Sequence, residues 1–244
     1  MPAFLFKRLL NAAGVMLAVA FLAFLIFRFV GDPVELMLNE QASQAQRDEL
    51  RIRLGLDKGF LLQFGTFVGN ALRGDFGISY RNQQEVFTLI AERFPATFEL
   101  VLVATFLSLA VGIPLGVYTA IARDSLLAKA LQFVSVLGVS LPSFALGILF
   151  ILVFSVTLQW LPAVGRGQTV QLGWWSTGLL TDSGRKALIL PGVTLSLFQI
   201  TLVMRLVRAE MLETMRTDFI RFARARGLPT RSVHFRHALR NCLM

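Results

Sequence analysis

The sequence predicts an all-α, polytopic membrane helical bundle, and three observations carry that prediction. Apolar residues make up 55% of the 244 and charged residues only 16%, against about 25% charge in a soluble domain. Four stretches approach or exceed the roughly 20 mostly apolar residues with which a helix crosses a bilayer. The net charge of +9 is gathered beside those stretches. Arg205 to Arg240 holds nine arginines against three acids (Glu210, Glu213, Asp218), and Lys7 with Arg8 adds two more positives. Basic flanks of membrane spans follow from topology and anionic lipid. The bilayer, and not nucleic acid, is therefore the expected partner of this charge. The single cysteine, Cys242, excludes an intrachain disulfide.

Residues 1–30 form the N-terminus and first span. Lys7 and Arg8 ahead of an apolar run imitate a secretory signal. The run lasts from Leu9 to Val30, however, against about 7–15 residues for a signal core, and no small-x-small cleavage site follows. It reads as a retained span, broken only by Asn11 and by Arg28, which lies near enough to the outer end to snorkel. Residues 31–98 read as a folded outer loop. Ser43-Gln44-Ala45-Gln46 is a capping box opening a helix that stops at Gly55. Phe60, Phe64, Phe67, Val68 and Ala71 recur at helical spacing, and Gly74-Asp75-Phe76-Gly77 marks a turn. The loop either caps the mouth of the spans or packs on them without a functional contact.

Residues 99–244 form the membrane core. Val101 to Ala122 carries no charge, and Gly112 with Gly116 makes a small-xxx-small pair suited to close helix packing. Ala130 to Leu158 is 29 uncharged residues, long enough to tilt or kink, with Pro142 as the kink. Ala187 to Met204 is 18 residues, roughly 27 Å of helix. The basic flanks place the N-terminus, the Arg123–Lys129 loop and segment 205–244 inside, and loops 31–98 and 160–186 outside. Arg166, Arg185 and Lys186 against Asp182 are a mild counter-signal.

On one helix over 208–225, Met211, Leu212, Met215, Phe219, Phe222 and Ala223 fall within about 120°. Glu210, Glu213, Arg221 and Arg224 lie opposite. Gly227 and Pro229 stop the helix, and Val233 to Leu243 resumes as another. The bend offers arginines and small residues to the inside, continuous with the last span. The alternative is an amphipathic helix that simply faces solvent and lipid.

Here the chain resembles the permeases of ATP-binding-cassette importers, in the dipeptide/oligopeptide/nickel family. Asp218-Phe219, Ala223-Arg224-Ala225-Arg226-Gly227-Leu228 and His237-Ala238-Leu239-Arg240-Asn241 follow the peptide branch of that family's coupling motif. Arg221 and Phe222 depart from the general Glu-Ala-Ala form. Gly31-Asp32-Pro33, Leu54-Gly55-Leu56-Asp57, Gly74 to Ser79, Arg93 to Leu100, Gly112 to Gly116, Leu141-Pro142-Ser143-Phe144, Leu161-Pro162 and Leu190-Pro191 extend the match in order. The resemblance implies a type I importer permease fold in the bacterial inner membrane. It also implies two ATP-binding subunits beneath, a second permease beside it, homologous or identical, and a periplasmic substrate-binding protein above. Asp218, Phe219 and Phe222 to Leu228 would dock on the ATPases. Di- or oligopeptides are the implied cargo, with nickel and glutathione as alternatives. Family members continue for two more spans, so the chain is expected to be truncated at its C-terminus. A non-transporting membrane subunit is the corresponding alternative.

No phosphate-cradling Gly-(x)4-Gly-Lys-Ser/Thr loop occurs, so ATP is expected on partner subunits and no cofactor on this chain. Three of the four spans hold no charge, against a proton-coupled carrier. No paired acid and base or nucleophilic triad points to an enzyme. His234, His237 and Cys242 sit in a strongly positive segment that repels cations, so no metal is expected. Candidate path residues are Ser140 and Ser143 in the third span, and Thr194, Ser196, Gln199 and Thr201 in the fourth. Such groups also bond to neighbouring helices or their own backbone. Thr194 and Thr201 share one face and Ser196 and Gln199 another, so at most one set lines a path.

Overall fold

Helix α1 (Pro2–Val30) opens the chain, and the side chains of residues 3–19 all face outward, as a helix solvated by lipid requires. The computed structural model describes residues 2–30, 34, 38, 43–53, 55–79 and 81–242. The Gly31-Asp32-Pro33 motif, Leu54, Leu243 and the side chain of Arg28 lie outside the described residues. The chain divides into two units, residues 1–92 and 93–244.

In the first unit the expected capping box is formed. The Ser43 amide donates to Gln46 Oε1 at 3.0 Å, and the Gln46 amide to Ser43 Oγ at 3.4 Å. It opens α2 (Gln44–Arg53). Helix α3 (Phe60–Ala71) follows, and its phenylalanine stripe packs on α1. Phe21 and Phe24 meet Phe60 and Phe64 with ring centroids 5.2–5.7 Å apart, and Phe67 lies 5.9 Å from Phe24. Edge-on and tilted rings at this spacing attract beyond simple burial. The turn at Gly74–Gly77 is closed by Asp75 Oδ1, which accepts from the Gly77 amide at 2.9 Å.

Helix α4 (Val86–Ile121) runs through Pro95 and Pro114. It starts well before the apolar run at Val101, so the end of the segment read as outer loop is helical. The run read as one kinked span over 130–158 is two helices, α5 (Leu126–Ser140) and α6 (Ser143–Phe150), the latter continuing as a π-helix over Ile151–Thr157. Pro142 is the reason. It has no N–H to extend α5, holds an extended ψ of 132°, and caps the start of α6. A two-residue turn at Gly173, with φ +66°, joins strands β1 (Val170–Leu172) and β2 (Trp175–Thr177) in an antiparallel hairpin. Strands of three residues each are too short to be expected from the sequence pattern.

Helix α7 (Asp182–Thr214) is capped by Thr181, whose hydroxyl accepts from the Gly184 amide at 3.1 Å. It carries the last span ten residues into the arginine-rich segment. Then come α8 (Asp218–Ala225), α9 (Thr230–Ser232), a π-helical stretch over Val233–Leu239 and α10 (Arg240–Cys242). Among the described residues, α1, α4 and α7 are long and apolar enough to cross a membrane.

Candidate functional site

The single helix expected over 208–225 is interrupted. Helix α7 ends at Thr214, a turn occupies 215–217, and α8 begins at Asp218. The Thr217 hydroxyl donates to the Thr214 carbonyl at 2.6 Å, using the acceptor that a continuing helix would need. The interruption resets the helical phase. Ile220 (0% exposed) and Ala223 (7%) now face inward against Met211, Val207, Val233 and Ala238, together with Val117 and Ala120 of α4. Phe219 (42%) and Phe222 (64%) point out. The predicted stripe therefore keeps Met211, Leu212, Met215 and Ala223 and loses both phenylalanines.

What faces outward is an aromatic and cationic surface. The Arg226 guanidinium stands over the Phe222 ring at 5.8 Å. Arg221 pairs with Asp218 at 3.1 Å, and Arg224 reaches the Met215 sulfur at 3.8 Å. Ala225, Gly227 and Leu228 are exposed beside them. Gly227 has φ +75°. Its amide donates to the Arg224 carbonyl at 2.9 Å, and the Leu228 amide to the Ala223 carbonyl at 3.4 Å. These are the two bonds of a Schellman ending, which calls for a left-handed residue at this position.

The segment is fastened to two long helices. A Cβ on Gly112 would lie 2.9 Å from Val203 Cβ, and one on Gly116 2.7 Å from Val207 Cβ, so the glycine pair is what lets α4 approach α7. Arg208 Nη1 donates to the Thr119 carbonyl in the last turn of α4 at 2.6 Å, where carbonyls lack helical partners. The Cys242 thiol contacts the Val207 carbonyl at 3.7 Å. Burial, reinforced by the Glu210 carboxylate, pushes that thiol's pKa up. Burial, with Arg224 second, holds the His234 imidazole below its ordinary value. Among the described residues no three His, Cys, Asp or Glu side chains come together as a metal set.

A cavity of about 440 Å³ lies between α6, the 162–165 loop and the first half of α7. Of the six candidate path residues, Ser143 and Thr194 line it. Thr194 sits beside Gly147 of α6, 3.4 Å from where a glycine Cβ would stand, and its hydroxyl donates to the Leu190 carbonyl at 2.7 Å. Ala187 and Pro191 also line the cavity. Proline removes the N–H that would otherwise serve the Ala187 carbonyl. The other four candidates lie elsewhere. Ser140 is exposed and donates to the Val136 carbonyl at 3.0 Å. Ser196 is buried and donates to Val193, and Thr201 is buried beside Gly138. Gln199 is exposed.

One group escaped the sequence reading. Glu99, 2% exposed near the start of the apolar part of α4, is the centre of a polar cluster. Its carboxylate accepts from the Gly178 amide at 3.1 Å and Trp175 Nε1 at 3.3 Å, and pairs with Arg166 at 3.5 Å. A carboxylate bordering an uncharged span needs a partner, and that was the available signal. Arg185 and Lys186 likewise pair with Asp182, at 3.5 and 3.0 Å. Glu99 thus neutralises Arg166, while Asp182 offsets only one of the two positive charges of Arg185 and Lys186.

Three long apolar helices, a broken apolar pair and a basic helical segment locked to two of the long helices define a multi-pass helical membrane protein. Residues 112–244 match the profile of the inner membrane component of binding-protein-dependent transport systems, and residues 1–101 match that of its N-terminal region. A Brucella abortus protein named provisionally as a peptide transport system permease is 40% identical over all of this chain and 76% of its own length. The oligopeptide transport system permease AppB of Bacillus subtilis is 35% identical, with 100% of this chain and 76% of the relative covered. The di/tripeptide transport system permease DppB of Pseudomonas aeruginosa is 36% identical, with 100% and 77% covered. The chain belongs to this family of binding-protein-dependent permeases, subunits that work with other components of a transport system.

Proposed function

We propose that the chain is the peptide-translocating permease subunit of an ATP-driven importer in the bacterial inner membrane. Its N-terminus and segment 205–244 face the cytoplasm. Segment 218–228 docks on two separate ATP-binding subunits, a second permease completes the pathway, and a periplasmic binding protein delivers the cargo. The observation that carries the reading is the two-sided character of α8. Ile220 and Ala223 lock it to the α4–α7 pair, while Phe222 and Arg226 stand free to engage a partner. Movement of a docked ATPase would reach α7 through this contact, and α7 also forms a wall of the cavity. Ser143 and Thr194 are the path residues that the cavity favours. Peptides, and not nickel or glutathione, are the cargo that the names of the relatives support.

Reconstitution tests this directly. The chain, its partner permease, two ATPase subunits and the binding protein, together in liposomes, should import labelled dipeptides or oligopeptides only when ATP is supplied. ATP-dependent import of nickel or glutathione without any peptide would overturn the assigned cargo.

A further inference from the structure

The cavity has a wall that is not part of any helix, the 162–165 loop, and the next residue along is Arg166. Its guanidinium is half-buried and reaches two elements at once. Nη2 pairs with Glu99 on α4, while Nη1 donates to Ser176 Oγ at 2.6 Å and Nη2 also to the Ser176 carbonyl of β2. Glu99 fastens the hairpin through its other contacts as well, and Phe94 and Phe98 hold the Trp175 ring edge-on at 6.1 and 5.6 Å. At the foot of the hairpin a side chain on Gly184 would run into the Gly178 carbonyl oxygen, so that position admits none. Glu99 is thus the carboxylate that ties loop and hairpin to α4, beside the Phe94 and Phe98 contacts, while Gln168 joins the loop to the start of α7 through Ser183 and Thr181. The cluster is imperfect in one respect. Arg166 Nε is buried with no acceptor among the described residues, a state that costs free energy while the pair stays closed. Opening would let water reach Nε, a gain set against the contacts to Glu99 and Ser176 that are lost.

We propose that Glu99 and Arg166 form a latch that holds the 162–165 loop closed over the cavity, Glu99 acting as a positioning residue through Arg166. The inference rests on the reading of that cavity as part of the translocation path. Opening the latch frees the loop to swing from Ser143 and Thr194 while α4 and α7 stay packed at Gly112 and Gly116, far along both helices. Glu99→Gln keeps the size and much of the hydrogen bonding and removes the charge that holds Arg166.

The test reads cavity access in the assembled, detergent-solubilised transporter. A Thr194→Cys reporter in a Cys242→Ser background is labelled with a bulky charged thiol reagent, and Thr201→Cys serves as the control beside Gly138. Glu99→Gln and Arg166→Gln should each speed labelling at 194 at least ten-fold and leave 201 unchanged. Unchanged labelling at 194 in both variants overturns the latch. Equal acceleration at both positions, or loss of assembly in both, also overturns it, because Glu99 would then be a general packing group. Failure of peptide import with the labelling result intact would remove the cargo assignment and leave the latch standing.

Discussion

Gly116 of α4 lies so near Val207 of α7 that an added Cβ would stand 2.7 Å from the valine Cβ and 2.9 Å from the Met204 carbonyl oxygen. A backbone carbonyl cannot step aside as a side-chain tip can. Gly116→Val should therefore force the helices apart and destabilise the protein by roughly 1–3 kcal/mol, the usual range for overpacking. The unfolding midpoint of the purified protein checks this. An unchanged midpoint would mean that α4 and α7 are not in this contact.

Arg208 tests the same junction from the other side. Its 2.6 Å bond to the Thr119 carbonyl is a charge-assisted contact at a helix end. Arg208→Met keeps much of the bulk and should cost about 1.5–3 kcal/mol, the range for hydrogen bonds involving a charged group. The same unfolding measurement reads it, and a loss below about 0.5 kcal/mol would place Arg208 among ordinary surface residues.

Ile220 and Phe222 should separate stability from coupling. Ile220 is fully buried, so Ile220→Ala should cost about 2–5 kcal/mol of stability. Phe222 is 64% exposed, so Phe222→Ala should shift stability by only about 0.5 kcal/mol. If Phe222 is an interface anchor worth about 2 kcal/mol, its loss should weaken ATPase association more than ten-fold. Titration of the permease with the ATPase subunits measures that directly.

Gly227 has no neighbour within 4 Å of an added Cβ, but its φ is +75°. Gly227→Ala therefore meets strain and no clash, about 1–2 kcal/mol, and Gly227→Asn should cost less. The fold should survive, while a bulky β-branched residue, as in Gly227→Val, should lower transport per ATP hydrolysed. Equal coupling ratios in Gly227→Val and the unaltered protein would count against a lever role.

The Cys242 thiol should be sluggish. Its folded pKa is raised by burial and by Glu210, so the thiol form is favoured in the folded state. The stability this contributes is fully present below the unfolded pKa and fades as pH rises through the folded value. Alkylation of the folded chain should lag the unfolded chain near neutral pH and catch up in alkali. Equal rates near neutral pH would show that the thiol is solvated.

The legible parts of the chain were those written in long or local patterns. The apolar runs behind α1, α4 and α7 need only length and composition, and the Ser43–Gln46 box and the Phe60, Phe64, Phe67 stripe are short-range signals. The Gly112–Gly116 pair was legible because close helix packing demands small residues. Three features were not. The turn at 215–217 hides inside an unbroken helical pattern, because Thr217 ends α7 through a hydrogen bond that spacing does not reveal. The strands are three residues each, too short for alternation to register. Glu99 was visible only as part of a motif, since Arg166 and Trp175 lie 67 and 76 residues away along the chain. Of the path candidates, Ser143 and Thr194 line the cavity, and hydroxyl content alone could not say which hydroxyls face it.

The central claim is that the Phe222 surface of α8 meets a cytoplasmic ATPase. A single cysteine on that surface that leaves Phe222 in place, at the exposed Ala225 (Ala225→Cys with Cys242→Ser), measures it through reaction with a membrane-impermeant thiol reagent. No labelling is expected in intact cells, rapid labelling in inverted membranes stripped of the ATPase subunits, and protection when those subunits are restored. Labelling from outside intact cells, or the same rate with and without the ATPases, would contradict it.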